Sequence, residues 1–477
     1  MQPSCNGVSC LALDFNCIIY GCLRSDKLAP YSHETEAEWE KTLLEEVCAA
    51  VVQIWTAAGK PRTVFVGVDG VVPMAKIRQQ RMRRFKSIWL AGKEVEMGVR
   101  KVGEERWDTN AITPGTAFME RLGGRLKILC SSRGWILSDS NEPGEGEHKV
   151  MAFLREHTGD GTVVIYGLDA DLILLSMLTS IGKKQPFFLM REKGEFQIKG
   201  GGFGDVPFLY LSCSALLDAL HKQYGKGKDV AAFILDYVAV MSLLGNDFLP
   251  HSLTLKIKDG GHDRLMELMT AERYVTADGG PVWSEFQKLF AALAVSEESA
   301  LMDSIYKKKR MSPMKARSDA EALMMPVQCL PLEWMEENRF LESGRLSPRW
   351  REIYHLPSEA VREYLYGLQW IIKYYQGKPV NLHWFYPWHL APLWETAAAA
   401  VTVAPAVAVA KAQIKPQEQL AMVLPLESWY LLRDPVLRTL PSKMPQFWPR
   451  SFGFISLGKA WMWECEANIP ILCHGRL

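Results

Sequence analysis

Acidic residues recur in this chain at the ends of apolar runs. The stretch Val163–Asp171 reads V-V-I-Y-G-L-D-A-D, a β-branched run closed by glycine that presents Asp169 and Asp171. Interior strands of parallel sheets have this composition. Open α/β folds bind their ligands just past the carboxyl ends of such strands. Two carboxylates two residues apart in an extended turn can face one cation. A single D-x-D serves equally well as a solvated turn and a helix N-cap, because Asp before L-I-L-L-S-M-L is a good cap. Repetition gives the pattern meaning. Val8–Leu13 is apolar and runs into Asp14, and Thr63–Val68 is followed by Asp69. A short strand expected over Trp135–Asp139 leads into P-G-E-G-E-H-K, where two glycines let the backbone turn Glu145 and Glu147 toward one centre. Asp247 follows Gly245, which closes an apolar helix expected over Val230–Leu244.

Seven carboxylates cannot share a cavity unpaired, since like charges a few ångströms apart raise one another's pKa. Bound divalent cations would resolve the conflict. Oxygen donors with no Cys or His set point to Mg²⁺ or Mn²⁺ rather than Zn²⁺. A basic stretch follows the second acid: Lys76–Lys86 carries six cations in eleven residues. As a helix it gathers Lys76, Gln80, Arg83 and Arg84 on one side. It reads either as a solvated basic helix or as an anion clamp beside the acidic edge. Acids and bases side by side suit a phosphate ester, whose charge metals and cations share.

The elements that must position these groups are legible from periodicity. Thr35–Ala58 is expected as a helix, with Leu43, Leu44, Val47, Val51 and Ile54 at helical spacing and Gly59-Lys60-Pro61 as its stop. Strand, helix and strand with both acids at one end make a βαβ unit, hence parallel strands. A further helix is expected to start at Thr113-Pro114, with proline in its first turn. Asp263–Ala300 reads as helical, Glu363–Tyr375 as an aromatic helix, and Gln417–Pro425 as the start of another. The Lys-Lys-Lys-Arg run ending at Arg310 reads as solvated surface rather than a nuclear address.

With 477 residues, more than one domain is expected. The composition shifts near residue 260, which gives an α/β region over 1–260 and a mostly helical region over 261–477. Ten of the sixteen tryptophans lie after residue 330, and aromatic clusters of this kind are usually core. The net charge of +1 names no partner by itself. Ten cysteines without a C-x-x-C pair read as reduced structural thiols, and a cytoplasmic setting is expected. The Ala/Val stretch from Ala397 to Ala410 is too short to span a bilayer and Pro405 interrupts it, so it reads as a linker or surface insertion.

These motifs together resemble the Xrn-type 5′→3′ exoribonuclease family. The matching segments are D-F-N-C-I-I-Y at Asp14, D-G-V-V-P-M-A-K-I-R-Q-Q-R-M-R-R-F at Asp69, N-A-I-T-P-G-T-A-F-M at Asn110 and P-G-E-G-E-H-K at Pro143. Y-G-L-D-A-D-L at Tyr166 and G-N-D-F-L-P-H at Gly245 continue the series. Y-L-Y-G-L-Q-W at Tyr364, W-F-Y-P-W-H at Trp384 and E-Q-L-A-M-V-L-P at Glu418 look like that family's second block. The resemblance implies a Rossmann-like, PIN-like parallel-sheet nuclease core with helices on both faces, and a second region that packs on it and completes an RNA channel. It implies two Mg²⁺ ions held by Asp14, Asp69, Glu145, Glu147, Asp169, Asp171 and Asp247, with Mn²⁺ able to substitute. It further implies a 5′-monophosphate pocket at Lys76, Gln80, Arg83 and Arg84, and a base stacked between Tyr20 and Trp384. The substrate expected is single-stranded RNA with a 5′-monophosphate, degraded to mononucleotides by a monomer with no membrane contact.

The chain departs from the family pattern in places. Tyr20 stands where the family has a stacking histidine, Cys17 replaces the usual glycine after Asp-x-Asn, and the family's short segment before the first strand is expected to be lacking. These departures bear on processivity more than on chemistry. Two rival readings remain. A flap-type DNA 5′-nuclease has a similar acidic sheet, but the residues after Asp247 lack the G-x-G pattern of a helix-hairpin-helix. A non-catalytic RNA-binding scaffold on a dead nuclease usually loses an acid, and all seven are present.

Overall fold

In the computed structural model, the described residues are 1–195, 206–311, 315–329, 335–401 and 413–476. The first region builds one six-stranded sheet in the order β3-β2-β1-β4-β5-β6. Its strands are β1 (Val8–Asp14), β2 (Thr63–Gly67), β3 (Ile136–Ser138), β4 (Thr162–Tyr166), β5 (Phe187–Glu192) and β6 (Phe208–Ser212). Strands β1 to β5 are parallel, whereas β6 pairs antiparallel with β5, so the sheet is mixed and not wholly parallel as expected. The chain therefore reverses direction between β5 and β6 at the sheet edge. The outer edge of β6 is partly covered by a bridge from Gln2 to Tyr210.

Helices cover both faces because successive strand side chains point opposite ways. On one face Leu11, Leu13, Val64, Val66 and Val164 pack under α1 (Asn16–Leu23), α2 (Glu36–Ala57) and α4 (Ala117–Arg133). Helix α3 (Met74–Glu96) leaves the sheet and seats on the carboxyl-terminal part of the chain. On the other face Cys10, Ala12, Val163, Ile165 and Leu189 pack under α5 (Gly146–Glu156), α6 (Asp171–Thr179), α7 (Cys213–Tyr224) and α8 (Val230–Met241).

The second region is largely helical and rich in tryptophan. It contributes α9 (Gly261–Leu268), α10 (Trp283–Val295), α11 (Glu297–Lys309), α12 (Asp319–Gln328), α13 (Trp350–Ile353), α14 (Ser358–Tyr375), α15 (Trp394–Ala400) and α16 (Pro416–Val423). Trp370, Tyr374 and Trp394 belong to the same buried cluster as the sheet residues Val163 and Ile165. The hydrophobic core therefore runs without a break from the sheet into α14 and α15.

Helix α14 starts at Ser358, five residues before the expected Glu363, α8 ends at Met241, and two other differences from expectation trace to glycine turns. Helix α4 begins at Ala117, capped by Thr116, because Gly115 adopts φ +92 and turns the chain after Thr113-Pro114. The helical run expected over Asp263–Ala300 is broken between α9 and α10. There Gly279 at φ +83 allows a tight turn, and Val275 bridges Pro281. Of the Ala/Val stretch, Ala397–Ala400 form the end of α15, and 402–412 lie outside the described residues. All ten cysteines are free. Among the described residues no helix is long and apolar enough to cross a membrane.

Candidate active site

The acids converge at the carboxyl edge of the sheet. Asp14 is the last residue of β1, Asp69 follows β2, and Asp169 and Asp171 sit between β4 and the first turn of α6. Glu145 occupies the N-cap position of α5, and Glu147 lies in its first turn. Asp247 comes from the turn that Gly245 opens at φ +91 after α8. Helix N-termini favour negative charge, which suits Glu145, Glu147 and Asp171.

Local bonds fix several of these groups. Asp69 Oδ1 accepts the Gly146 N–H at 2.6 Å, and its Oδ2 accepts from Asn16 Nδ2 at 2.8 Å. Lys76 Nζ stands 2.8 Å from Glu145 Oε2 and donates to Asp247 Oδ2 at 2.6 Å. Gln79 Nε2 donates to the other Asp247 oxygen at 3.0 Å. Tyr374 donates to Glu145 Oε1 at 2.8 Å and Tyr375 to Asp171 Oδ2 at 2.7 Å. Lys149 Nζ ties the acidic loop to the sheet edge through the carbonyls of Val68 and Asp139, at 2.7 and 2.8 Å.

Gly146 is required at this point by close approach. A Cβ there would lie 2.7 Å from both Asp14 Oδ1 and the Gly67 carbonyl oxygen. The Gly146→Ala variant is expected to lose about 1–3 kcal/mol of stability, the usual cost of overpacking, and to displace Asp14. Urea unfolding beside an activity measurement checks both; an unshifted midpoint would show that the edge can give way.

Electrostatics record the crowding. Burial raises Asp14 well above the usual carboxylate range, and Asp69, Asp169 and Glu145 raise it further against the pull of Lys76. Burial and Glu145 likewise raise Glu147. Burial also works against Glu145, but the ammonium of Lys76, with His148 and Tyr374, outweighs it and holds that carboxyl low. Asp171 is pushed up to about 6 by burial and by Asp169 and Asp247, despite the bond from Tyr375. The seven acids are thus within electrostatic reach of one another. The ammonium of Lys76, with Lys149 acting on Asp69, does not balance their charge.

Glu147 Oε2 is buried with no hydrogen-bond partner among the described residues. Glu145, Glu147 and His148 each offer one ligand atom within 4.8 Å of the others, an arrangement that could hold a metal ion. A hard divalent cation fits this donor set. His148 adds a nitrogen that the expected oxygen-only set did not contain. Burial lowers the His148 imidazole to about 4, which keeps it neutral near pH 7.

The expected phosphate group divides in two. Lys76 is engaged with the acids. Arg84 Nη2 donates to Thr113 Oγ1 at 2.7 Å, while Arg84 Nη1 and Gln80 Oε1 are buried without a partner among the described residues. Burial pulls the Arg84 guanidinium down to about 10, still charged at neutral pH. Arg83 is exposed on the same helix, and Tyr20, 40% exposed on α1, feels the charges of both arginines.

Trp384 is a correction. It is 8% exposed, packed against Trp370 and over Gly367, where a Cβ would come within 2.5 Å of its ring, and its indole N–H binds Glu363. It presents no open face to a base. Asn16, Gln79, His148, Tyr374 and Tyr375 went unrecognised. The His after P-G-E-G-E was the one legible signal among them.

An acidic sheet edge that could hold a metal beside a half-buried guanidinium suits a phosphate ester. Residues 2–193 match the model described as the XRN 5′-3′ exonuclease N-terminus, and residues 228–329 and 338–477 match the Xrn1 helical domain. The chain belongs to the Xrn family of 5′→3′ exonucleases. It is similar to proteins named 5′-3′ exoribonuclease 2. The Candida albicans relative is 32% identical over 62% of this chain and 36% of that protein. The Debaryomyces hansenii relative is 26% identical over 100% of this chain and 66% of its own length. The Schizosaccharomyces pombe relative is 33% identical over 62% and 35% respectively. The chain thus spans less than two-thirds of the length of the relatives it matches.

Proposed function

We propose that this chain is a 5′→3′ exoribonuclease that removes 5′-mononucleotides from single-stranded RNA carrying a 5′-monophosphate. One observation carries the reading. Seven acids meet at the sheet edge, while the neighbouring helix α3 offers Arg84 with an unpartnered, buried Nη1. Asp14, Asp69, Glu145, Glu147, Asp169, Asp171 and Asp247 would hold two Mg²⁺ ions, or Mn²⁺ in their place. The chemistry such ions supply is activation of water at neutral pH and stabilisation of charge on the leaving oxygen.

The chain's own residues do the rest. Arg84, Gln80 and Arg83 receive the terminal phosphate, with Thr113 aiming the Arg84 fork. Lys76 balances Glu145 and Asp247 and keeps positive charge between the acids and the phosphate side. Tyr20 offers its ring to the first base. Residues 1–260 carry the chemistry, and 261–477 pack on them and close the strand's path. The free cysteines suit a reducing, cytoplasmic setting, and the chain works as a monomer.

Purified protein with Mg²⁺ is to be incubated with RNAs that differ only in a 5′-monophosphate, hydroxyl or triphosphate. Rapid loss of the monophosphate RNA alone, yielding 5′-mononucleotides, is the expected result. Retained RNA binding with no turnover on any end would overturn the reading in favour of a scaffold.

A further inference from the structure

Helix α14 ends in two adjacent tyrosines whose hydroxyls reach two different acids on two different helices. Tyr374 donates to Glu145 on α5 and Tyr375 to Asp171 on α6, at 2.8 and 2.7 Å. Neither ring is free to swing. Tyr374 stacks on Trp370 with centroids 4.6 Å apart, lies 3.9 Å from the His148 ring, and meets Phe248 edge-on at 5.6 Å. Tyr375 lies within 6.2 Å of His148 and 6.5 Å of Phe248. A hydroxyl on a locked ring dictates where its acceptor points. On Asp171 it takes Oδ2, and among the described residues Oδ1 takes no hydrogen bond. On Glu145 it shares the carboxylate with Lys76, one oxygen each.

We propose that Tyr374 and Tyr375 are positioning residues for the metal site. They hold the Glu145 and Asp171 carboxylates in the orientation a divalent cation needs, and so make metal affinity depend on the second region of the chain. The proposal rests on the reading of the acids as a metal centre. Its physical basis is that groups bonded to a metal's ligands set ligand direction, and their loss typically costs about 10–100-fold in metal affinity.

The test uses the whole chain, freed of metal with EDTA and dialysed, then titrated with Mn²⁺ by calorimetry. Wild type is compared with Tyr374→Phe, Tyr375→Phe and Asp171→Asn. Phenylalanine keeps each ring and its packing and removes only the oxygen. Both Phe variants are expected to bind Mn²⁺ about 10–100-fold more weakly with a near wild-type melting temperature. Their RNA turnover should fall at limiting Mn²⁺ and recover at excess. Wild-type isotherms for both Phe variants, in a chain whose Asp171→Asn variant binds poorly, would overturn the positioning role and leave the metal centre standing. A lowered melting temperature with unchanged Mn²⁺ affinity would make the tyrosines merely structural, and overturn it too. Absence of Mn²⁺ binding by wild type would remove the metal centre and the proposal together.

Discussion

Asp171→Asn is expected to abolish RNA hydrolysis and, at the same time, to stabilise the metal-free chain. Loss of an outer partner of a metal ligand costs about 10–100-fold in activity, so under the proposed function, in which Asp171 is a ligand, loss of its charge should cost more than about a hundredfold. The stability effect follows from the crowding. Asp171 is raised from the ordinary 3.8 to about 6 by burial and by Asp169 and Asp247. Between about pH 4 and 6 the folded chain holds a proton here that the unfolded chain has released. Stability therefore falls as pH rises through that window, and stays lost above it. A shift of this size corresponds to roughly 2–3 kcal/mol at pH 7, which asparagine does not forfeit. In EDTA the variant should melt a few degrees above wild type at pH 7, and the gap should close near pH 4. Thermal scans at the two pH values decide it, and equal melting at pH 7 would show that Asp171 ionises without cost.

Arg84→Gln carries the second large effect. Hydrogen bonds to a charged group contribute about 1.5–3 kcal/mol each, so loss of this guanidinium should lower kcat/KM on 5′-monophosphate RNA by roughly 10–150-fold. Turnover of 5′-hydroxyl RNA, slow from the outset, should hardly change. The ratio between the two ends is the readout. A parallel fall on both would mean that Arg84 supports α3 through Thr113 and does not read the phosphate. Arg84→Lys should rescue little, because a lysine ammonium lacks the planar fork that can serve Thr113 and a phosphate together.

Much of the fold was open to reading because its signals are local. The apolar runs ending at Asp14, Asp69 and Asp169 needed no distant partner to be recognised as strands, and the spacing of Leu43, Val47 and Val51 marks α2 within one residue at each end. Strands β5 and β6 went unassigned although they are no shorter than β2 and β4, because their antiparallel pairing joins segments that no local periodicity links. The start of α4 was misplaced because proline at a first turn and proline before a glycine turn look alike until the φ of Gly115 is known. The seven acids were legible as seven strand or helix ends. What was not legible is which group each one meets. Lys76 spans from α3 to Asp247, and Tyr374 to Glu145, across separations that no periodicity encodes. Trp384 illustrates the reverse: its motif suggested an exposed stacking face, and packing over Gly367 removed it.

The unbroken core between sheet and second region has a consequence for how the protein is made. Helices α5 to α8, which cover the sheet face of Ala12, Val163, Ile165 and Leu189, share their buried cluster with Trp370, Tyr374 and Trp394, and α14 packs on α8. During synthesis α14 emerges on the order of ten seconds after the last sheet strand, at ordinary rates of chain elongation. For that interval the nascent chain displays a wet apolar surface and an acidic edge without Tyr374 and Tyr375. Chaperone occupancy during translation should peak between the emergence of α8 and that of α15, and ribosome-bound chains stalled before Trp370 should be protease-sensitive in α8, on which α14 packs.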